Sequence, residues 1–190
     1  MKKIILLAAV VLMNTAVFAQ NWKVNKAHSH FTFTITHLAV SDVDGVFKDF
    51  DATITSSKPD FSDAQFAFTA NTASVNTGND QRDIHLKSPD FFDVTKYPAI
   101  TFTSTAIKPT SAGHYSLTGN ITLNGVTKPV TLDLWYRGTI VNPMSKAPDA
   151  GFQVTGTIKR SDFNFGSKFS SPLLSDEVAI KAVGEFDKAN

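Results

Sequence analysis

No cysteine occurs anywhere in the chain. Disulfide staples are excluded, as are thiolate chemistry and lipid attachment to a cysteine at a processed N-terminus, so stability must come from a packed core. There is no G-x-S-x-G elbow and no phosphate-cradling glycine loop, which removes common signatures of nucleophilic catalysis and nucleotide binding. Charge of one sign is not in excess either, since 18 Lys and Arg stand against 17 Asp and Glu. Without a basic face, nucleic acid is not expected as a partner. The acidic residues are scattered through turns, and no pair sits in an apolar strand where a carboxyl pKa would rise. Nothing among these residues demands catalysis.

Long hydrophobic runs are equally scarce, and the one that exists stands at the start. In "MKKIILLAAVVLMNTAVFAQ", Lys2 and Lys3 precede an apolar stretch from Ile4 to Met13, and Val17-Phe18-Ala19 forms a small-x-small cleavage site. This predicts a secretory signal peptide over residues 1–19, cut after Ala19. The apolar stretch is shorter than the ~20 residues a membrane span needs. Cleavage removes two basic residues and leaves 16 against 17 acidic ones, over the remaining 171 residues. That length suits one domain, residues 20–190, and a chain with 42% apolar residues and 16 phenylalanines can build a core.

What the rest of the chain does have is alternation. Phe31, Phe33 and Ile35 stand between Thr32, Thr34 and Thr36 in "HFTFTITH". The pattern recurs near residues 50–54, 66–70, 100–104, 115–123, 130–136, 152–158 and 178–186. Each such segment is a strand with one dry face and one wet face. About eight long strands result, with a short extra one at Asn21–Asn25, separated by turn clusters such as "SKPDFSD", "TSAGH" and "NGVTKP". No long helical period appears, so the domain is read as all-β and antiparallel. Short turns between consecutive strands favour an up-and-down β-barrel over a sandwich, because closure removes exposed edges. A barrel of about eight strands is either just filled by its own side chains or holds one small ligand. Ala70, Ala106, Gly119, Gly156 and Ala182 fall on the inward face. They either leave room for an apolar guest or interdigitate with the phenylalanines.

The five histidines are His28, His30, His37, His85 and His114, and they lack the convergent spacing of a zinc site. Neither a metal nor a cofactor is expected. His37 is in line with Phe31, Phe33 and Ile35, and is read as a hydrogen-bonded group at the barrel mouth.

Between Asn79 and Pro98 the alternation breaks, in "NDQRDIHLKSPDFFDVTKYP". Asn79 or Asp80 caps a short helix to Lys87, on which Arg82, His85 and Leu86 share a face and Asp83 pairs with Lys87. Ser88 caps a second turn that starts at Pro89. Phe91, Phe92 and Tyr97 are apolar anchors. This predicts a helical excursion lying across one barrel opening. It either plugs the barrel, with Arg82 and Asp83 as an ion pair, or offers charged groups to a ligand head group. Arg160 continues the inward parity of Phe152, Val154 and Ile158, and either faces a ligand or pairs with Asp83 or Asp162.

Six stretches, in order along the chain, resemble the YceI-like family of exported lipid-binding proteins. They are "HSHFTFTITH", "GVFKDFDATI", "RDIHLKSPDFFDVTKYPAITFTS", "LTGNITLNGVTKPVTL", "IKRSDFNF" and "SDEVAIKAVGE". Asn25, Asn164 and Ser175 depart from the family's usual aspartate, glycine and glycine. The resemblance implies a single extended, lipocalin-like barrel whose interior holds a long isoprenoid or other amphiphilic chain. It implies a periplasmic, non-enzymatic binder or carrier of a polyisoprenoid or quinone-like lipid, with transient membrane contact, and it permits a homodimer. On this reading Phe31, Phe33, Ile35, Phe102, Leu117, Ile121, Leu132, Leu134, Phe152 and Val154 line an apolar tunnel. His37, Arg82, Asp83, His85 and Arg160 form its polar end. The alternative is a small periplasmic enzyme or stress protein acting on an amphiphile, with His37 or His85 as the acid–base group.

Overall fold

The alternating segments all form strands. The computed structural model describes residues 19–189, so the expected leader, apart from Ala19, lies outside the described residues. The strands are β1 (Gln20–His37), β2 (Ser41–Phe47), β3 (Phe50–Ser56), β4 (Gln65–Asn71), β5 (Val75–Asn76), β6 (Ala99–Ser111), β7 (His114–Leu123), β8 (Val126–Val141), β9 (Pro148–Lys159) and β10 (Leu174–Lys188). Among the described residues there is one α-helix, α1 (Asp80–Lys87), between β5 and β6, and short 3-10 turns stand at Thr72–Ser74 and Arg160–Phe163. β1, β3, β4, β6, β7, β8, β9 and β10 form a closed antiparallel circuit of eight, because β10 returns to pair with β1.

β1 fuses the short strand expected at Asn21–Asn25 with the long one after it. Its register against β10 slips between Asn25 and His30. There the Ser29 hydroxyl stands in for the ladder by accepting from the Glu185 amide at 3.1 Å. β2 and β3 run consecutively along β1, with β2 on Phe31–His37 and β3 on Gln20–Lys23. β2 was not among the expected strands, because Gly45 interrupts its inward face.

The same glycine has a packing role. A Cβ at Gly45 would lie 2.2 Å from the Phe33 ring, one at Gly119 would lie 2.4 Å from the Phe102 ring, and one at Gly156 would lie 2.4 Å from Leu132. These large side chains lie flat on bare backbone, so the small residues interdigitate and still leave the lumen open. Ala106 is a correction. A β-bulge between Ser104 and Ala106 flips the parity, so Ala106 is exposed and Ile107 packs against the core instead.

β2 pairs with only two residues of β5, and residues 77–98 cover the wall between β2 and β6. Asn79 is the N-cap of α1, its side chain accepting from the Arg82 amide at 3.0 Å. The expected second turn forms as a single turn over residues 89–92 and does not extend into a helix, with the Ser88 hydroxyl accepting from the Asp90 amide at 3.3 Å. The amides of Phe91 and Asp93 both return to the Ser88 carbonyl, at 3.0 and 2.9 Å, and Asp93 turns the chain at φ 43°.

The two ends of the barrel differ. At one end the β3–β4 loop drops Phe61 into the lumen, where it is 2% exposed. Its ring centroid lies 5.3 Å from Trp22 and 4.9 Å from both Tyr136 and Phe152. Phe66 and Phe186 pack on Phe152 at 5.7 and 5.6 Å and complete the plug. Asp63 latches this loop by accepting from the Ser56 hydroxyl at 2.5 Å, the Ser57 amide at 3.0 Å and the Lys58 amide at 3.2 Å, and from the Ser57 hydroxyl. Burial pushes the Asp63 carboxyl up, but these hydrogen bonds together outweigh it and hold the pKa at about 2.

Candidate functional site

Above the aromatic plug the lumen is hollow. An outer chamber of about 360 Å³ lies at the end that carries α1, and an inner chamber of about 110 Å³ lies below it. Phe31, Ile100, Ile121 and Ile180 border both, so the chambers meet at a waist. The lining is almost wholly hydrocarbon and aromatic carbon.

The expected tunnel residues divide between the chambers. Phe31, Phe33, Ile35 and Ile121 border the outer one, and Phe102, Leu117, Leu132, Phe152 and Val154 border the inner one. Leu134 borders neither, being 1% exposed and packed into the core. Phe47, Ile158, Val178 and Ile180 line the outer chamber, although the sequence reading left them off the tunnel. Ile158, Val178 and Ile180 stand on inward positions of expected strands, so parity alone could have found them, whereas Phe47 lies on β2, whose alternation Gly45 interrupts.

Of the expected polar residues, His37, Arg82, His85 and Arg160 border the outer chamber and Asp83 does not. Asp83 is buried and turned toward the segment after β5. It accepts from the Thr77 amide and hydroxyl at 2.9 and 2.6 Å, and from Asn76 at 3.2 Å. Arg82 donates to the Thr77 hydroxyl at 2.7 Å and to the Thr77 carbonyl at 2.9 Å. The expected Arg82–Asp83 ion pair is therefore replaced by two separate grips on Thr77. Successive helical positions do not face each other, which keeps the two charges apart. Among the described residues Asp83 makes no ion pair with Lys87 either.

Arg160 pairs with neither Asp83 nor Asp162. Its buried guanidinium donates to the carbonyls of Ser175 at 2.9 Å, Phe165 at 3.1 Å, Gly166 at 2.8 Å and Leu174 at 3.2 Å, and to that of Phe169. Five donors in a planar fork suit this cluster of carbonyls, which no carboxylate could reproduce. Arg160 thus holds together the β9–β10 connection, residues 160–173.

That connection is the second half of a lid. Phe169 stacks on Phe91 at 5.0 Å and Phe165 packs on Phe92 at 4.6 Å, joining it to the excursion that carries α1. His85 meets Phe91 and Phe169 edge-on at 5.0 and 5.6 Å, and its Nε2 lies 3.5 Å from Asp90. Lys168 reaches Asp90 at 2.5 Å and holds its carboxyl below the usual carboxylate range. Phe165, Phe169, Leu173 and Leu174, all lining residues, were missed in the sequence. The signal was there in "FNFGSKFSSPLL", a loop too aromatic to be only a connection.

Two of the three departures from the family pattern have a local account. Asn164 takes the left-handed conformation at φ 51° and ψ 29° that a glycine turn needs. The Ser175 hydroxyl accepts from the Thr36 amide at 3.1 Å. Asn25 sits at the plugged end beside Asp187, far from the lid. Burial, and then the neighbouring Asp149 carboxyl, raise the Asp187 pKa, while Asn25 draws it down.

Among the described residues no buried polar side-chain atom lacks a partner, and no three His, Asp or Glu residues are grouped to hold a metal. The cavity can hold an apolar chain; its polar side chains gather near the lid, and His30 alone borders the inner chamber.

A model of the YceI-like domain matches residues 22–186. Protein YceI of Salmonella newport (strain SL254) is 39% identical over 180 residues, covering 94% of this chain and 93% of its own. The crystal structure of the Campylobacter jejuni YceI protein aligns with a TM-score of 0.75 at 35% identity, over 82% of this chain and 90% of that one. Burkholderia cenocepacia BcnA aligns with a TM-score of 0.75 at 27% identity, over 85% and 98%. A polyisoprenoid binding domain from Saccharophagus degradans shares the fold, with a TM-score of 0.68 at 16% identity over 89% and 98%. The match to the domain runs from the plug residue Trp22 to the plug residue Phe186 and takes in both halves of the lid, and by it this chain belongs to the YceI-like family.

Proposed function

We propose that this chain is a non-enzymatic carrier of a long-chain isoprenoid or similar amphiphilic lipid, quinone-like ones included, exported to the periplasm. The observation that carries the reading is the hollow, two-chambered apolar lumen with most of its polar side chains at the lid. An outer chamber of about 360 Å³ falls within the ~300–1,000 Å³ range of small-molecule sites. A fold shared with a polyisoprenoid binding domain supports the same class of ligand. The chain of the lipid would run from the lid through the waist at Ile121, with its polar end near Arg82, His85 and His37.

Energetics suit exchange. At ~0.8 kcal/mol per buried CH₂, transfer from water would be strongly favourable. A lipid drawn from a bilayer gains little by that transfer, so uptake and release lie near balance, which a carrier requires. The His85 ring, set edge-on against the stacked Phe91 and Phe169 with Asp90 at its nitrogen, is a structural member of the lid on this reading.

The test is native mass spectrometry and organic extraction of the purified protein. A long-chain lipid is expected at about one per protein. Ile121→Trp, which fills the waist, is expected to reduce occupancy sharply while preserving the β-sheet circular dichroism. A wild-type protein empty after purification under native conditions, and unable to take up an isoprenoid from micelles, would defeat the proposal. Turnover of an amphiphile abolished by His85→Ala with lipid occupancy unchanged would favour the enzymatic alternative.

A further inference from the structure

We propose that the tip of the β1–β2 turn, together with Leu173, is a membrane-docking rim that seats the cavity mouth on an uncharged bilayer interface. The inference rests on the lipid reading of the cavity. Leu38 is 49% exposed, Val40 82% and Leu173 40%. They are neighbours, because the Leu38 amide donates to the Leu173 carbonyl at 3.0 Å. Leu173 and His37, the residue before Leu38, also border the outer chamber. Apolar surface therefore continues from inside the barrel onto its outer rim.

The backbone of the turn points the same way. Leu38 and Ala39 lie at φ 51° and 58°, where Asn-Gly would be the unstrained choice. A leucine held in the left-handed region is a local cost of the kind found where the surroundings have a use for the side chain. What the sequence gains here is display, since the turn holds Leu38 and Val40 out to solvent.

Charge selects the partner. Asp42 and Asp44 follow the turn, accepting from Thr36 at 2.8 Å and from Thr34 at 2.6 Å, and their negative charge disfavours an anionic surface. Of the lid lysines, Lys168 is bound to Asp90, Lys96 lies over the Tyr97 ring at 5.1 Å, and Lys87 makes no ion pair among the described residues. No free basic cluster frames the mouth among the described residues, so the surface matches zwitterionic lipid better than an anionic membrane. A lipid passing from bilayer to lumen across this rim would never expose its whole chain to water. A second exposed apolar group, Ile140, Val141 and Met144, lies at the plugged end and supplies an internal control.

The experiment is co-sedimentation of the purified mature protein with phosphatidylcholine vesicles, with and without phosphatidylglycerol, at low and high salt. Wild type is expected to bind phosphatidylcholine alone, with little effect of salt. Leu38→Asp combined with Val40→Asp is expected to weaken binding about tenfold or more, with bound lipid by native mass spectrometry unchanged. Leu38→Asn with Ala39→Gly relaxes the turn while removing one apolar group. It should raise thermal stability and weaken binding several-fold, which separates docking from misfolding. Ile140→Asp with Met144→Asp is expected to bind as wild type. No vesicle binding by wild type, binding only to anionic vesicles and lost in salt, or loss with the Ile140/Met144 pair instead of the rim variants would each overturn the proposal. Rim-dependent vesicle binding by a protein that never holds lipid would leave the rim standing and remove the carrier reading.

Discussion

The two ends of this barrel are closed by different physics. At the plugged end a loop inserts Phe61 among five other rings, and the closure is dry, aromatic and continuous with the core. At the mouth two connections meet over a hollow, held by four aromatic side chains and by one arginine that gathers five carbonyls. Filled space resists opening because every ring lost leaves a void. A lid over empty space loses much less by moving. The lesson is that a barrel can be rigid at one end and operable at the other with the same strands between.

The largest effect that bears on this contrast is expected from Phe61→Ala. Removing a fully buried ring should cost ~3–5 kcal/mol and lower Tm by roughly 10 °C. The space created extends the lumen, so extraction should recover lipid of equal or greater chain length. An unchanged Tm with loss of lipid would mean that Phe61 serves the cargo and that the plug is no plug. Next is Arg160→Ala, which leaves buried carbonyls without donors and should cost ~3 kcal/mol. Its mark is faster lipid release in a transfer assay, because the lid is what it holds. Arg160→Lys should restore only part of the loss, since an ammonium cannot reproduce the fork. Loss of stability without any change in release rate would blur the distinction between the two ends.

The smallest effect is the latch of the plug. The Asp63 carboxyl is depressed from 3.8 to about 2 in the folded protein. Its contribution is therefore fully present above pH 3.8 and is lost as the pH falls through about 2. Asp63→Asn should lower stability at neutral pH by ~1–2 kcal/mol and flatten the decline across that acid window, read by denaturant titration at several pH values.

Much of this was visible in the residues. Alternation of phenylalanine with threonine specified the long strands, and Asn79 with the charged run after it specified α1. The inward parity of Arg160 was visible too, but its partners were not, because a backbone carbonyl has no letter in the sequence. The strand through Gly45 was hidden by the glycine that lets Phe33 lie flat. Ala106 was misassigned because a bulge adds one residue and reverses every face beyond it. Phe61 read as a turn residue, since nothing local tells a loop phenylalanine that it will fill a barrel. The thread linking these misses is that each depends on a neighbour distant in sequence.

On the carrier reading, one pairing described above sets a limit on when a lipid can enter. Most ladders join strands close in the chain, but β1 and β10 bring residues near 30 against residues near 180. Loop-closure entropy is paid before such long-range contacts form, so this seam is expected to form late as the protein folds. Phe31 opposite Ala182 and Phe33 opposite Ile180 are cavity walls on that seam. The hollow does not exist until the last strand arrives. On the carrier reading, loading therefore belongs to the finished barrel.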